Sequence, residues 1–257
     1  SPCCLVVALS GAAPAAAIIM RHDVDQSQCV VLGHQHRASL VQLDLPSRDG
    51  SPLLFNGTGT LIAPNWVATA AHAVDASMTA PGRFVYLQGK GYRVAEVIVH
   101  PDYDEQTAAN GLALVRLEQV RAKPVSRLPY AGGDELGKVV ILVGAGMPGD
   151  GINGVAPHPD GALRGATSTV TGVRPTQIEW EFRAPSNHAT PLEGISGPGD
   201  SGGPAFIESG GRYCLAGISS FQNIPGVSAS QANGHPPQEG RYGVVEVYTR
   251  VSHYLPW

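Results

Sequence analysis

Short runs in which apolar and polar residues alternate dominate this chain of 257 residues. Beyond residue 28 such runs are bounded by turn-forming residues, and they include A-S-L-V-Q-L-D-L, R-V-A-E-V-I-V-H, L-A-L-V-R-L, K-V-V-I-L-V-G and Y-G-V-V-E-V-Y-T. A period of two places one face of a strand against a core and the other face in solvent. No long helical period lies among these runs. The chain is therefore predicted to be all-β, with antiparallel strands in two sheets or barrels.

Composition is typical of one large folded unit or of two smaller units packed together. Hydrophobic residues make up 43% of the chain and charged residues 15%, so a large core can form. The 32 glycines and 21 prolines are spread along the chain, which indicates many tight turns. Residues 121–136 carry two prolines and two glycines and are predicted to separate the two units. The Gly- and Pro-rich stretches 147–161 and 222–240 are predicted to be surface loops.

The first residues resemble a secretory signal. Residues 3–17, C-C-L-V-V-A-L-S-G-A-A-P-A-A-A, combine an apolar segment with a small-residue end, which is typical of a cleavage site. A membrane anchor is the alternative, but Ser10, Gly11 and Pro14 interrupt the run and it is short for a span. We therefore expect residues 1–17 to be a signal-peptide remnant and the protein to be secreted, to the periplasm or the outside, without stable membrane association.

Charge and cysteine content exclude several classes of function. A formal net charge of -4 without a basic stripe makes nucleic acid an unexpected partner. Removal of the signal would leave Cys29 and Cys214, hence at most one disulfide, so stability must come from packing. His34 and His36 lack nearby cysteine or acidic ligands and are predicted to be solvated. No metal or cofactor is expected.

The strongest chemical signal is G-P-G-D-S-G-G-P-A-F, residues 197–206. Glycines on both sides of Ser201 permit a tight backbone with positive φ, which exposes the hydroxyl. The same backbone turns the N–H groups of Gly199 and Ser201 into one small cavity that can bind an oxyanion. A Gly-rich surface turn is the alternative, but a chance match to these six central residues is improbable.

A hydroxyl becomes a good nucleophile only when a base lies within hydrogen-bond reach. The candidate base is His72, at the end of T-L-I-A-P-N-W-V-A-T-A-A-H, where an apolar strand and two small alanines lead to a single histidine. A lone histidine is more often structural. Its occurrence together with the Ser201 motif favours catalysis.

The motifs T-A-A-H and G-D-S-G-G-P, in this order and separation, resemble those of the trypsin-like (chymotrypsin-fold) serine peptidases, in a bacterial-type secreted form. The likeness extends to V-Y-T-R-V-S-H-Y-L-P-W near residue 257 and covers nearly the whole chain after the signal. It implies two six-stranded antiparallel Greek-key β-barrels with the active site in the cleft between them and a short C-terminal helix. The peptidase domain would span 18–257, with barrels at about 28–122 and 136–250, and would act as a monomer on protein or peptide substrates.

The resemblance also implies roles for individual residues. His72 matches the general base and Ser201 the nucleophile, and the amides of Gly199 and Ser201 match the oxyanion hole. Asp200 matches the buried acid that receives the freed N-terminal ammonium. Signal cleavage after Ala17 would make Ile18 that terminus, so Ile18 and Asp200 would form the activation pair.

One position departs from the family in a way that bears on catalysis. Where the family has the aspartate that orients the histidine, this chain has Gly111, in N-G-L-A-L. Water can fill the space left by the missing side chain. Asn110 is expected to point away from the face of Gly111, and the acids of the neighbouring loops are expected to be solvated and without a catalytic role: Asp75, Asp102, Asp104 and Glu105.

The substrate pocket departs from trypsin as well. Ile195, six residues before Ser201, replaces the acid at the pocket base and implies an apolar floor. Glu246 aligns with a pocket wall, where its carboxylate would accept a basic substrate side chain or be satisfied internally. Ser220, Phe221 and Gln222 match the segment that pairs with the substrate backbone, and Gln222 is expected to narrow the entrance.

The family's disulfides are missing too. Ala73 follows His72 where a cysteine is usual, and Val140 and Ile207 occupy the positions of another bridge. Cys29 and Cys214 match no usual pair, so no disulfide between them is expected.

Three functions follow from these residues. The first is a secreted serine endopeptidase that uses Ser201 and His72 and is slowed by the loss of the triad aspartate. The second is a pseudo-protease that keeps the scaffold as a binding module. The third is an esterase-like hydrolase, because activated esters demand less of a weakened base than amides do.

Overall fold

The computed structural model describes residues 18–43, 57–74, 81–119, 126–158, 162–225 and 239–257. The predicted signal remnant at residues 1–17 and Asp75 lie outside the described residues, as do parts of the predicted separator and surface loops.

Short strands account for most of the regular structure. In chain order they are β1 (Ile19–Met20), β2 (Leu40–Leu43), β3 (Gly57–Ala63), β4 (Trp66–Thr69), β5 (Phe84–Leu87), β6 (Lys90–Val99), β7 (Ala113–Leu117), β8 (Val139–Gly144), β9 (Gly149–Asp150), β10 (Gly154–Val155), β11 (Arg164–Thr169), β12 (Gly172–Val173), β13 (Gln177–Glu181), β14 (Gly194–Ile195), β15 (Pro204–Ser209), β16 (Arg212–Asn223) and β17 (Val245–Arg250). The helical elements are α1 (Gln26–His36) and short 3₁₀ turns at Arg37–Ser39, Ala71–Ala73 and Val251–Tyr254.

The strands form two main sheets. The first is a closed barrel with the strand order β2-β3-β4-β7-β6-β5. The second is a curled sheet of seven strands in the order β11-β8-β15-β16-β17-β13-β12, and β1, β9, β10 and β14 form a small sheet beside it. Register shifts between Ala205 and Phe206 and between Ser219 and Phe221 help to bend the second sheet. This arrangement confirms the predicted two-barrel chymotrypsin fold.

Each sheet has its own core, and the two cores meet. The barrel encloses Val41, Leu61 and Val115, and alternation along β7 gives the burial pattern that its sequence predicts. The barrel core continues into Phe206 and Leu215 of the second sheet. The loops between the two sheets, which carry the candidate site, therefore lie where these packed sheets meet.

The helix α1 was not predicted. Asp25 caps its N-terminus by accepting a hydrogen bond from the Ser27 amide, at 2.9 Å. Gly33 lets the helix approach β11, since a Cβ atom at Gly33 would lie 2.6 Å from the carbonyl carbon of Arg164. The contact with β11 thus supports a helix that lacks a regular apolar face.

The prediction that His36 is solvated is wrong. His36 is only 3% exposed, and its ring stacks on Phe206 and meets the Tyr213 ring edge-on, with centroids 5.5 and 4.6 Å away. Burial, together with the charge of Arg127, lowers the pKa of His36 to about 4, so the ring is neutral at pH 7. His34, on the outer face of α1, is exposed.

None of the helices in the described ranges is both long enough and apolar enough to span a membrane.

Candidate active site

Ser201 lies in a tight loop between β14 and β15. The flanking residues Gly199 and Gly202 have φ values of 91° and 79°, a conformation that favours glycine. A Cβ atom at Gly202 would lie 2.1 Å from the Thr69 hydroxyl oxygen and 2.4 Å from the Thr58 carbonyl oxygen. The glycines therefore let the loop pack against β3 and the end of β4, the strand that leads to His72.

The two amides that face the predicted oxyanion cavity are free within the described chain. Neither the Gly199 N–H nor the Ser201 N–H donates a hydrogen bond to another described residue. The carbonyl groups of this loop are held instead, since Gly199 O accepts from the Thr58 hydroxyl at 3.2 Å and Ser201 O accepts from the Thr58 amide at 2.7 Å. An incoming oxyanion would thus find two fixed, unused donors.

Asp200 fixes the Ser201 loop through hydrogen bonds from surrounding backbone amides. Its buried carboxylate accepts hydrogen bonds from the amides of Gly146 at 2.7 Å, Gly197 at 2.9 Å and Ile18 at 3.0 Å. Burial raises the pKa of Asp200 to about 6, and the backbone donors oppose that rise. A Cβ atom at Gly144 would lie 2.0 Å from the Asp200 carboxylate, so glycine there makes room for the acid.

Ile18 and Asp200, the predicted activation pair, lie side by side. Ile18 is 1% exposed and begins a segment that pairs through Ile19 with Ile195 of β14. Its φ of 67° is an outlier for a β-branched residue. The backbone nitrogen of Ile18 is thus held at the acid in a strained conformation.

His72 lies in the 3₁₀ turn directly after β4, on the exposed side of the cleft. Two contacts link this turn to the Ser201 loop through Gly57. A Cβ atom at Gly57 would lie 3.0 Å from the Cβ of Ala73 and 3.1 Å from the carbonyl oxygen of Ser201. Small residues at this junction therefore bring the histidine turn and the serine loop together.

Neither the His72 ring nor the Ser201 hydroxyl has a hydrogen-bond partner within the described residues. Desolvation by neighbouring atoms lowers the pKa of His72, and no described carboxylate opposes that shift. Catalytic hydrogen bonds are often long in unliganded enzymes and tighten when substrate binds. The contacts through Gly57 place the turn of His72 beside the loop of Ser201.

Gly111, where the sequence predicts a missing carboxylate, is bonded to the turn that carries His72. The Ala71 amide, one residue before His72, donates to the Gly111 carbonyl at 3.2 Å. A Cβ atom at Gly111 would lie 3.7 Å from the Ser220 hydroxyl oxygen and 3.5 Å from the Thr249 hydroxyl oxygen. The Ser220 hydroxyl is buried without a hydrogen-bond partner. A side chain at position 111 would therefore approach the Ser220 hydroxyl, which has no hydrogen-bond acceptor.

The acids that neighbour Gly111 in the described part of the chain are exposed or bonded within their own loop. Asp104 accepts hydrogen bonds from the amides of its own loop, and Asp102 and Glu105 are exposed. Asn110 is also engaged elsewhere. It accepts from the Tyr254 hydroxyl at 3.0 Å and donates to the Asp102 carbonyl at 2.9 Å.

A cavity of about 230 Å³ opens beside Ser201. The residues that line it are Ser196, Gly197, Pro198, Ser201, Ser219, Ser220, Phe221, Gln222, Ile224 and Glu239. They include the predicted substrate-binding segment, Ser220 to Gln222, and one acid that the sequence did not identify, Glu239. Ile195 is not part of this lining, because its side chain is buried in the core and its backbone pairs with Ile19. Only a tertiary contact brings Glu239 to the cavity, from the end of a Gly- and Pro-rich loop.

Glu246 is fully buried behind the cavity wall. One carboxyl oxygen accepts from the Ser196 hydroxyl, and the other is buried without a partner. Ser219 donates to the Ser196 hydroxyl at 3.1 Å, and Gln222 donates to the Ser196 carbonyl at 2.8 Å. Burial raises the pKa of Glu246 to about 8, so the carboxyl is mostly protonated at neutral pH. A cationic group in the cavity would favour its ionised form.

The described residues contain no group of three potential ligands that could hold a metal ion. Both Cys29 and Cys214 are free thiols.

Comparison with known proteins agrees with this geometry. Residues 39–257 match the family model described as Trypsin. The chain is 29% identical over 246 residues to chymotrypsin-like elastase family member 1 of Felis catus, with 84% of this chain and 82% of that protein covered. It is 26% identical over 241 residues to a tryptase of Mus musculus, with 84% and 81% covered. It is also 24% identical over 231 residues to an Aedes aegypti protein named inactive CLIP domain-containing serine protease A3, with 79% and 45% covered.

Proposed function

Because the chain belongs to the trypsin family of serine proteases, we propose that it is a secreted serine endopeptidase that hydrolyses peptide bonds through an acyl-enzyme on Ser201, with His72 as general base. The family supports a peptidase that acts on peptide or protein substrates. The residue roles, the slowed rate and the export are our proposals.

One observation carries the assignment of the nucleophile. Ser201 lies between Gly199 and Gly202, which both have positive φ, in a loop whose Gly199 and Ser201 carbonyl groups are bonded and whose Gly199 and Ser201 amides are unused. Two fixed amide donors beside a hydroxyl are what an acyl-transfer site needs, because they stabilise the charge that develops on the substrate oxygen.

The proposed reaction has two halves. In the first, His72 accepts the hydroxyl proton as the Ser201 oxygen attacks the scissile carbonyl, and the Gly199 and Ser201 amides donate to the oxyanion. The tetrahedral intermediate then expels the amine, which takes the proton from His72, and leaves an ester on Ser201. In the second half, water loses a proton to His72 and attacks the ester, and the Ser201 oxygen leaves with the proton that His72 returns, which releases the acid and restores the enzyme.

The missing carboxylate sets the proposed rate. An imidazolium forms in both halves, and at Gly111 no side-chain charge stabilises it or fixes the ring. In enzymes of this family, replacement of the aspartate by asparagine costs about 10⁴ in kcat, while the oxyanion hole and substrate binding retain about 10³ to 10⁴ over the reaction in water. We therefore expect a slow enzyme.

We further propose that cleavage after Ala17 activates the protein. The Ile18 nitrogen lies 3.0 Å from the Asp200 carboxylate, and a free terminus would place an ammonium charge there. Strained backbone of the kind seen at Ile18 costs about 1–3 kcal/mol. Cleavage would relieve that strain, because a terminal residue has no preceding peptide to fix φ. The export signal and the bacterial type rest on the sequence alone.

For the substrate, we propose a basic side chain in the cavity. Glu239 lines the cavity and Glu246 lies behind its wall with one unpartnered oxygen. A lysine or arginine side chain would offer a cation to both acids, whereas an acidic side chain would meet like charge.

Two other functions are each favoured by one observation. The lack of a carboxylate near His72 favours activated esters as substrates, because they need less help from the base. The relative from Aedes aegypti is named inactive, and this name favours the alternative function of a binding module without catalysis.

A single experiment separates these functions. The chain that begins at Ile18 and its Ser201→Ala variant are treated with a fluorophosphonate probe and then assayed on casein and on an activated ester. We expect Ser201-dependent labelling with slow casein cleavage. Labelling with ester turnover alone would favour the esterase, and no labelling would leave the binding module.

A further inference from the structure

Three groups define what we call the Gly111 site: the Gly111 backbone itself and the neighbouring hydroxyls of Ser220 and Thr249. A Cβ atom on Gly111 would be in ordinary contact distance of both hydroxyl oxygens, at 3.7 and 3.5 Å. The Ser220 hydroxyl oxygen is buried and makes no hydrogen bond. Buried hydroxyls without a partner are uncommon in folded proteins, which points to an acceptor supplied from outside the chain.

Several hydrogen-bond donors without a partner lie on residues around this site, whereas the nearest acceptor is the Ala108 carbonyl oxygen, 3.0 Å from a Cβ atom on Gly111. Besides the Ser220 hydroxyl, the backbone N–H of His72 makes no hydrogen bond to the described residues. The Thr249 hydroxyl makes only a long hydrogen bond, 3.4 Å, to the Gly111 carbonyl. The His72 ring, also without a partner there, adds a third donor. These donors suit a small acceptor that carries negative charge.

The chemistry of the missing side chain defines that acceptor. An aspartate at position 111 would add a methylene group and a carboxylate to the glycine. Acetate is that group with one more hydrogen, and formate is the carboxylate alone.

We propose that the Gly111 site binds a small monocarboxylate, acetate or formate, whose oxygens accept from Ser220 and face the His72 ring, so that the concentration of this anion controls the rate of catalysis. This inference depends on the proposed function for its effect on rate, but not for the binding itself.

The site limits the size of the ligand. A Cβ atom on Gly111 would lie 3.0 Å from the Ala108 carbonyl oxygen, closer than ordinary contact. Acetate is not bonded to the backbone and can shift away from that oxygen, whereas each further methylene group would add bulk beside it. Acetate has four non-hydrogen atoms and no cation opposite it here, so we expect a half-saturating concentration on the order of 10–100 mM.

Bound carboxylate would act through His72. An opposite charge within about 4–6 Å raises the pKa of a histidine by about 1–3 units and stabilises its protonated form. That form is made when Ser201 loses its proton, so the anion should accelerate acylation by about 10- to 1000-fold at saturation.

The test measures the rate of Ser201 labelling by a fluorophosphonate in acetate, formate, propionate and chloride at constant pH and ionic strength. We expect a saturable increase with acetate and formate and no increase with propionate or chloride. Gly111→Asp should label fast without any added anion and should not respond to acetate. Ser220→Ala should require several times more acetate for the same increase.

A second readout keeps the binding claim independent of activity. The pKa of the His72 ring is measured by NMR with and without acetate, and Gly111→Ala serves as the control in which a methyl group occupies the site. A rise in pKa with acetate that Gly111→Ala lacks supports the site, even if Ser201 is never labelled and the proposed function fails. If Ser201 is labelled, a labelling rate that acetate leaves unchanged, or that chloride raises equally, would overturn the control of rate by the anion. A pKa of His72 that acetate leaves unchanged would overturn the binding site itself. Both results would leave the proposed peptidase standing.

Discussion

At the scale of single residues, Gly111 determines how fast the proposed enzyme works. Two features of the site suit a carboxylate at this position: the buried Ser220 hydroxyl has no acceptor, and desolvation of His72 is unopposed by any described acid. The fold does not need that carboxylate, since Gly111 lies at the entry to β7 and its carbonyl is held by the Ala71 amide. On the proposed mechanism, a single position would therefore separate a fast enzyme from a slow one on the same scaffold.

Gly111→Asp should raise kcat/KM on an activated ester. The new carboxylate would accept from Ser220 and orient His72, and the upper limit of the gain is about 10⁴. The Ala108 carbonyl, 3.0 Å from the new Cβ, must move by a few tenths of an ångström and will reduce the gain. Gly111→Asn is the control, because it adds the same bulk without the charge. Equal rates for the two variants would show that the position does not reach His72.

Glu246 makes the preference for a basic side chain depend on pH. Its pKa is raised to about 8 by burial, so the carboxyl is neutral below that pH and charged above it. The ratio of kcat/KM for a lysine substrate to that for its norleucine counterpart should therefore rise between pH 7 and pH 9. The ratio cancels the titration of His72. In Glu246→Gln it should be lower and independent of pH, and a wild-type ratio that stays flat would count against Glu246 as the acid involved.

At the scale of elements, alternation predicted the strands well and α1 not at all. The β7 run L-A-L-V-R-L reveals its buried face directly, because a strand needs only a period of two. In α1, by contrast, the stabilising feature is the contact of Gly33 with Arg164, 131 positions later in the chain. The burial of His36 depends on Phe206 and Tyr213, which also lie far along the chain. No local pattern contains such information.

The titration of His36 should make the free energy of unfolding depend on pH. Its pKa is lowered to about 4 in the fold, whereas an unfolded histidine has a pKa of about 6.5. The unfolded chain therefore binds the extra proton first, and stability is lost as the pH falls from about 6.5 towards 4, by roughly 2–3 kcal/mol.

His36→Phe removes this titration and keeps the ring contacts with Phe206 and Tyr213. Urea unfolding at pH 7 and at pH 4.5 should show a smaller loss of free energy of unfolding for the variant than for the wild type. Equal losses would mean that His36 does not carry the acid sensitivity.

The parts of the candidate site that belong to sequence motifs were predictable. Ser201, Gly199 and Asp200 belong to one contiguous stretch, and the resemblance placed His72 and Gly111 relative to it. Three features were not predictable, because they arise only when distant elements meet: the lining by Glu239, the unpartnered Ser220 hydroxyl, and the position of Ile195 in the core behind the cavity.

At the scale of the whole molecule, the proposed terminus at Ile18 would couple cleavage to the site. The chain that starts at Ile18 should have a higher kcat/KM than one that retains Ala17, because only the former places an ammonium at Asp200. The ammonium, with an ordinary pKa of about 7.7–8.0, has its pKa raised by that carboxylate. The ion pair is intact below the raised pKa and is lost above it.

Activity of the Ile18 chain should therefore fall at alkaline pH towards that of the Ala17 chain, whose activity should change little over the same range. Parallel pH profiles of kcat/KM for the two chains make the comparison. Two superimposable profiles would contradict activation by the terminus.

The central claim is that Ser201 becomes acylated during turnover. The most direct measurement is mass spectrometry of the Ile18 chain quenched with acid while it hydrolyses an activated ester, followed by digestion. We predict one acyl group per chain, located on the peptide that contains Ser201 and absent from Ser201→Ala. An unmodified wild-type chain during turnover, or the same adduct in Ser201→Ala, would contradict the account.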